Sequence, residues 1–185
     1  MFRRFSRQAR IASALTPSQI ADLAQANRLV ANGKYLEAAG VFAQLAQQME
    51  ATRHPRRAAN FHAQAAHVFA DANDEPQALA HAQAALRLFI QFQMANRYPR
   101  FYANITQKLR NHGMATGATQ LEHEFASQVG SIPSSGQTAP QPVHGRLPSS
   151  CAQCGAPVRS DEVEWIDATS AECIFCGSVI QTIIS

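Results

Sequence analysis

Cys151-Ala152-Gln153-Cys154-Gly155 and, with eighteen residues between Cys154 and Cys173, Cys173-Ile174-Phe175-Cys176-Gly177 hold all four cysteines of the chain. Two residues between cysteines let one tight turn aim both sulfurs at a single point. A glycine directly after each pair supplies the left-handed backbone that closes such a turn. Two turns of this kind present four sulfurs to one ion. The expectation is one structural Zn²⁺ held by Cys151, Cys154, Cys173 and Cys176. Iron on the same sulfurs, a redox dithiol and disulfide pairing remain as alternatives. Disulfides fit poorly with the absence of cysteine from the preceding ~150 residues. A redox pair would follow a strand and open a helix, and neither pair does so.

Working outward, Val163-Glu164-Trp165-Ile166 and Ser178-Val179-Ile180-Gln181-Thr182-Ile183-Ile184 are rich in β-branched and aromatic residues, the composition of strands. With the two cysteine turns, residues 150–185 resemble a zinc ribbon, and Trp165 is expected to cover the metal. A Cys-x-x-Cys-Gly pair also resembles the rubredoxin ligand pattern, but the longer spacing and aromatic core of that family are missing. About 35 residues cannot build an adequate core alone, so the metal has to fold this segment.

Residues 131–149 contain four prolines with Ser and Gly and no periodicity. They are predicted to be a flexible linker. Before them, residues 16–130 read as six helices. Thr16-Pro17-Ser18-Gln19 is a capping box with proline at the first helical position. Helices then follow from Tyr35, from about Arg56 to Ala72, from an Asp74 cap to about Ala95, from Pro99 to Gly113, and from about Ala115 to Val129. A forty-residue shift aligns Gly33, Asn73 and Gly113 at helix ends. It also aligns Ala38, Ala78 and Ala118, small residues that allow close helix approach, and Leu29, Phe69 and Leu109.

This pattern resembles the tetratricopeptide repeat, most clearly through Gly33, Tyr35, Ala38 and Phe42. Glu75 and Ala115 replace the turn aromatic in the later units. The fold expected is mainly α: an α-solenoid of three helical hairpins plus a small C-terminal β zinc ribbon. The resemblance implies a concave groove presenting Asn27, Asn60, His67, Arg100, Gln107, Arg110 and Asn111 to an acidic or carboxylate-ended peptide. Ordinary solvated helix positions are the plainer reading of these residues. The seven histidines show no His-Glu-x-x-His and no i, i+4 pair, so they read as packed or solvated side chains.

The net charge of +3 conceals an asymmetry. Residues 1–130 carry fourteen Lys and Arg against eight Asp and Glu, whereas the ribbon carries Arg159 against five acids. Four thiolates on one dication add further negative charge. Such a ribbon is a poor phosphate binder, because nucleic-acid affinity rests on Lys and Arg. Residues 1–15, with four arginines and no acid, read as a solvated basic tail; contact with an anionic surface is the functional alternative. No apolar run of membrane or signal-peptide length is present, so the cytoplasm is expected. The chain carries no nucleophile elbow and no phosphate-binding glycine loop. Together these readings point to a non-enzymatic interaction or adaptor protein. A nucleic-acid-associated regulator using the basic tail, or an iron/redox protein, is the alternative.

Overall fold

The computed structural model describes residues 15–94, 97–129, 144–160, 163–176 and 178–183. Helices and a small antiparallel sheet make up its regular structure. The helices are α1 (Pro17–Ala31), α2 (Tyr35–Ala51), α3 (Pro55–Asp71), α4 (Glu75–Gln91), α5 (Tyr98–Asn111) and α6 (Ala115–Val129). The expected capping box opens α1: the Gln19 amide donates to Thr16 Oγ1 (3.3 Å) and the Thr16 amide donates to Gln19 Oε1 (3.0 Å). Asp74 caps α4 by accepting from the Gln77 amide at 3.2 Å. Prolines in the first turns of α3, α4 and α5 start helices without costing a hydrogen bond.

The helix ends carry a repeat of twenty residues, half the period read from sequence. Gly33, Arg53, Asn73, Gln93 and Gly113 all have positive φ. At each of these positions the amide of the next residue returns to a carbonyl five residues back: Lys34 to Leu29, His54 to Met49, Asp74 to Phe69, Met94 to Phe89 and Met114 to Leu109. The positive-φ residue itself donates to the carbonyl three back. Both bonds together form the Schellman closure, which satisfies carbonyls orphaned at a helix end. The closure at Gln93 also ends α4 at Gln91, ahead of the expected Ala95, which lies outside the described residues.

The described residues form two compact units. One contains residues 15–27 and 144–183, and the other residues 28–129. In the second unit, α2 packs on α3, α3 on α4 and α5 on α6, with further contacts of α3 with α5 and of α4 with both α5 and α6. Alanines make this closeness possible. Ala38, Ala58, Ala59, Ala65, Ala66, Ala78, Ala82, Ala85 and Ala118 are fully buried, between larger side chains such as Phe42, Phe61, Phe89, Leu109 and Phe125. The buried Tyr98 hydroxyl finds its partner across helices, donating to the Phe125 carbonyl at 2.8 Å. Glu75 Oε1 accepts from the Gly117 amide at 2.6 Å, placing a carboxylate at the positive end of α6.

The first unit holds the sheet: β1 (Glu164–Trp165), β2 (Ser170–Glu172) and β3 (Val179–Gln181), antiparallel in the order β1-β2-β3. Trp165 pairs with Ala171, and Ala171 with Ile180. β1 and β3 fall inside the two expected strand segments, but β2 was not anticipated. Its turn is built by Asp167, which accepts from the Thr169 amide (2.8 Å) and the Ser170 hydroxyl (2.7 Å). The hydrogen bond from Ser170, then those from Thr169, hold the Asp167 carboxyl at about 2. Residues 144–149, expected in the linker, bond to this unit. The Gly145 amide donates to Ala168, the Ile183 amide to Arg146 and the Val158 amide to Ser149. A Cβ at Gly145 would lie 2.7 Å from Thr182, so only glycine admits this approach. The rest of the expected linker and the basic tail up to Ala14 lie outside the described residues.

Candidate metal centre

The first cysteine turn is closed by two backbone hydrogen bonds of 2.8 Å, from the Gly155 amide to the Cys151 carbonyl and from the Cys151 amide to the Ala156 carbonyl. Gly155 has φ +72°, the conformation its place after the pair predicts. A bridge between Ser150 and Pro157 clamps the base of this turn. The second pair is tied by the Cys173 amide donating to the Ser178 carbonyl at 2.9 Å. Gly177 lies outside the described residues.

All four cysteines are buried and unbridged, and their sulfurs lie within 4.8 Å of one another. Cys151 Sγ is 3.7 Å from Cys176 Sγ, and Cys154 Sγ is 3.9 Å from Cys173 Sγ. A disulfide needs about 2 Å, so these separations are not bonds. Four sulfurs around a tetrahedral ion, each at about 2.3 Å, stand about 3.8 Å apart. The sulfur set therefore fits one thiophilic metal ion. Hydrogen bonds among the four close thiols pull their acidities apart. Hydrogen bonds from Cys154, then Cys173 and Cys176, hold Cys151 far below the usual thiol range. The bond to Cys151, then those to Cys173 and Cys176, push Cys154 far above it. A dication held by Cys151, Cys154, Cys173 and Cys176 would stabilise every thiolate at once.

Ser178 is a member of this centre that sequence reasoning missed. Its Oγ lies 3.2 Å from Cys151 Sγ and 3.0 Å from Cys176 Sγ, so one hydroxyl can donate to a metal-bound thiolate. The signal was present: a hydroxyl residue two positions after the last cysteine reaches back over the turn. Trp165, expected over the metal, stacks on the His144 ring (centroids 4.0 Å apart, planes within 10°) and donates to the Ser160 carbonyl.

The residues expected in a groove have varied surroundings. Asn27 donates from Nδ2 to the Cys154 carbonyl at 3.0 Å, on the first cysteine turn. Asn60 is buried. His67 packs edge-on against Phe101 at 5.3 Å; burial, then the Lys108 charge, lowers its pKa to about 4. Arg110 pairs with Glu122. Gln107 and Asn111 bond to each other at 2.8 Å on an exposed surface, and Arg100 is partly exposed.

Comparison of the chain with family models, curated proteins and solved structures gives no match. Among the described residues, no helix is long and apolar enough to cross a membrane.

Proposed function

We propose that the chain is a non-enzymatic adaptor that grips a protein partner with two modules, a tetratricopeptide-like helical array and a zinc ribbon. The observation that carries this reading is exposed apolar surface on both units. Leu36 is 62% exposed beside Tyr35 at the start of α2, and Val179 is 58% exposed on β3. Ile183, two residues beyond the end of β3, is also exposed. Apolar side chains left in water at such levels are candidate anchors for a partner.

Helices that touch both their neighbour and the next but one, turned at twenty-residue intervals, support a solenoid in which each hairpin stacks on the last. Four thiolates leave no ligand position open, so the metal reads as structural zinc rather than a reaction centre. Four unbridged cysteines suit a reducing compartment such as the cytoplasm.

Two weak contacts on one chain gain strength by acting together. The test uses the metal-loaded full chain as bait, together with Leu36→Asp and Val179→Asp variants of the same chain. Each single change should weaken retention of the same protein partner by about 100-fold, with helix content and metal content unchanged. Retention indifferent to both changes would reject the reading. Binding to bulk RNA or DNA that collapses as salt rises would instead favour a nucleic-acid role.

A further inference from the structure

Outside the cysteine centre, one cluster places titratable side chains from three helices together. His62 on α3 and His81 on α4 face each other with Nδ1 atoms 2.8 Å apart. Glu50, near the end of α2, lies 3.3 Å from His62 Nε2. Phe69 stacks on the His81 ring, with centroids 5.3 Å apart and planes within 14°, and fixes its plane. The His62 side chain is only 7% exposed, while the Glu50 side chain is 48% exposed. The cluster thus runs from the packed interior out to solvent.

The carboxylate dictates the proton positions. Glu50 can only accept, so His62 carries its proton on Nε2 and turns an Nδ1 lone pair toward His81. His81 fills the contact by donating its own Nδ1 proton. A histidine whose outer N–H is held by a carboxylate, with the opposite nitrogen bare and aimed at a second imidazole, has the second-shell arrangement of a metal-ligating histidine.

We propose that His62 and His81 form a second metal site, taking one zinc-like divalent transition ion through their Nδ1 atoms, with Glu50 orienting His62 and water completing the shell. The ring centroids stand 5.0 Å apart. Two imidazoles on one tetrahedral zinc, bonded at about 2.0–2.1 Å, place their centroids about 5.1 Å and their nitrogens about 3.3 Å apart. The helices already hold the rings at the required separation. Only a tilt of each ring is needed, to swing the nitrogens from facing each other to facing a common point. His81 then moves its proton from Nδ1 to Nε2, so both ligands stay neutral and no proton is lost. Neutral imidazole is also the form this site favours. Burial lowers both rings, and His81 reaches about 4, with the His62 charge as the next cause. With two protein ligands and an edge open to water, this site is weaker and more exchangeable than the four-sulfur centre. It differs from that centre in hardness too, preferring ions that accept nitrogen.

The experiment starts from full chain already loaded with one ion at the cysteines and adds zinc chloride at pH 7.5. Bound zinc is counted, and the histidine ring nitrogens are followed by nitrogen-15 NMR. The expected result is a second ion, with the Nδ1 signals of His62 and His81 moving and those of His54, His67 and His112 fixed. His81→Asn should remove that second ion and keep the first. Glu50→Gln, at an exposed position that leaves the helix packing intact, should weaken the second ion about 10–100-fold. A total of one ion per chain overturns the proposal and leaves a packed histidine pair. So does a second ion held equally well by the Glu50→Gln variant, a comparison that decides the matter even if His81→Asn fails to fold.

Discussion

At Arg53 and Gln93 the backbone is left-handed, with φ of 59° and 51°, and neither residue is suited to it. A side chain in this region costs roughly 1–2 kcal/mol, whereas glycine pays mainly in chain entropy, about 0.5–1 kcal/mol. Arg53→Gly should therefore stabilise the unit of residues 28–129 by about 0.5–1 kcal/mol, seen as a higher urea midpoint at unchanged slope. A lower midpoint would mean that the Arg53 side chain contributes more than its backbone costs. The same two residues explain why the repeat was only half legible. Gly33, Asn73 and Gly113 announce a left-handed closure by residue type, so a forty-residue period could be read. At Arg53 and Gln93 the closure is imposed by helix packing on residues that carry no such signal, and the twenty-residue period stayed hidden. The cysteine cluster was fully legible, because residues able to share one metal ion are restricted in type and spacing together. Ser178 was not, since a hydroxyl near sulfur is too common to stand out.

Between elements, the histidines of α3 and α4 make acid a selective stress. His67 lies among Lys108, Asp71 and Phe101; His81 lies among His62, Glu50 and Phe69. Both rings titrate at about 4 in the folded unit, against about 6.5 when unfolded. Between these values the unfolded chain binds more protons, so stability falls as pH drops from about 6.5 toward 4. The loss is on the order of 2 kcal/mol for His67 and smaller for His81, whose partial exposure to water screens it. Urea midpoints followed by helix circular dichroism at pH 7 and pH 4.5 should show it, and His67→Phe should flatten the dependence. An equal midpoint at both pH values would contradict the burial of these rings. None of these pairings could be read in advance. His62 and His81 are nineteen residues apart, and helix-face periodicity says nothing about which faces of different helices meet. β2 was missed for a related reason: Ser170-Ala171-Glu172 has little strand propensity and is placed by the Asp167 turn and by its neighbours.

For the whole molecule, two compact units mean two separable transitions. Trp165 is the single tryptophan of the chain and belongs to the cysteine-bearing unit, so its fluorescence follows that unit, while helix circular dichroism mainly follows residues 28–129. Cys154→Ser, or a strong chelator, should abolish the tryptophan transition and the bound metal yet leave the main helix melting point within about 2 °C, on the order of 0.5 kcal/mol for a domain of this size. Loss of both transitions together would refute the independence. The helical class and the gathering of the four cysteines were readable from composition and spacing. The membership of Pro17–Asn27 in the cysteine-bearing unit was not, since one asparagine amide on one carbonyl leaves no trace in the sequence. That contact spans 127 residues, and it orders events in time. A ribosome makes this helical segment well before Cys154, so Asn27 must wait for its acceptor until 127 further residues have been added. A nascent chain interrupted ahead of Cys154 would leave Pro17–Asn27 undocked, an open invitation to proteases that the later residues withdraw.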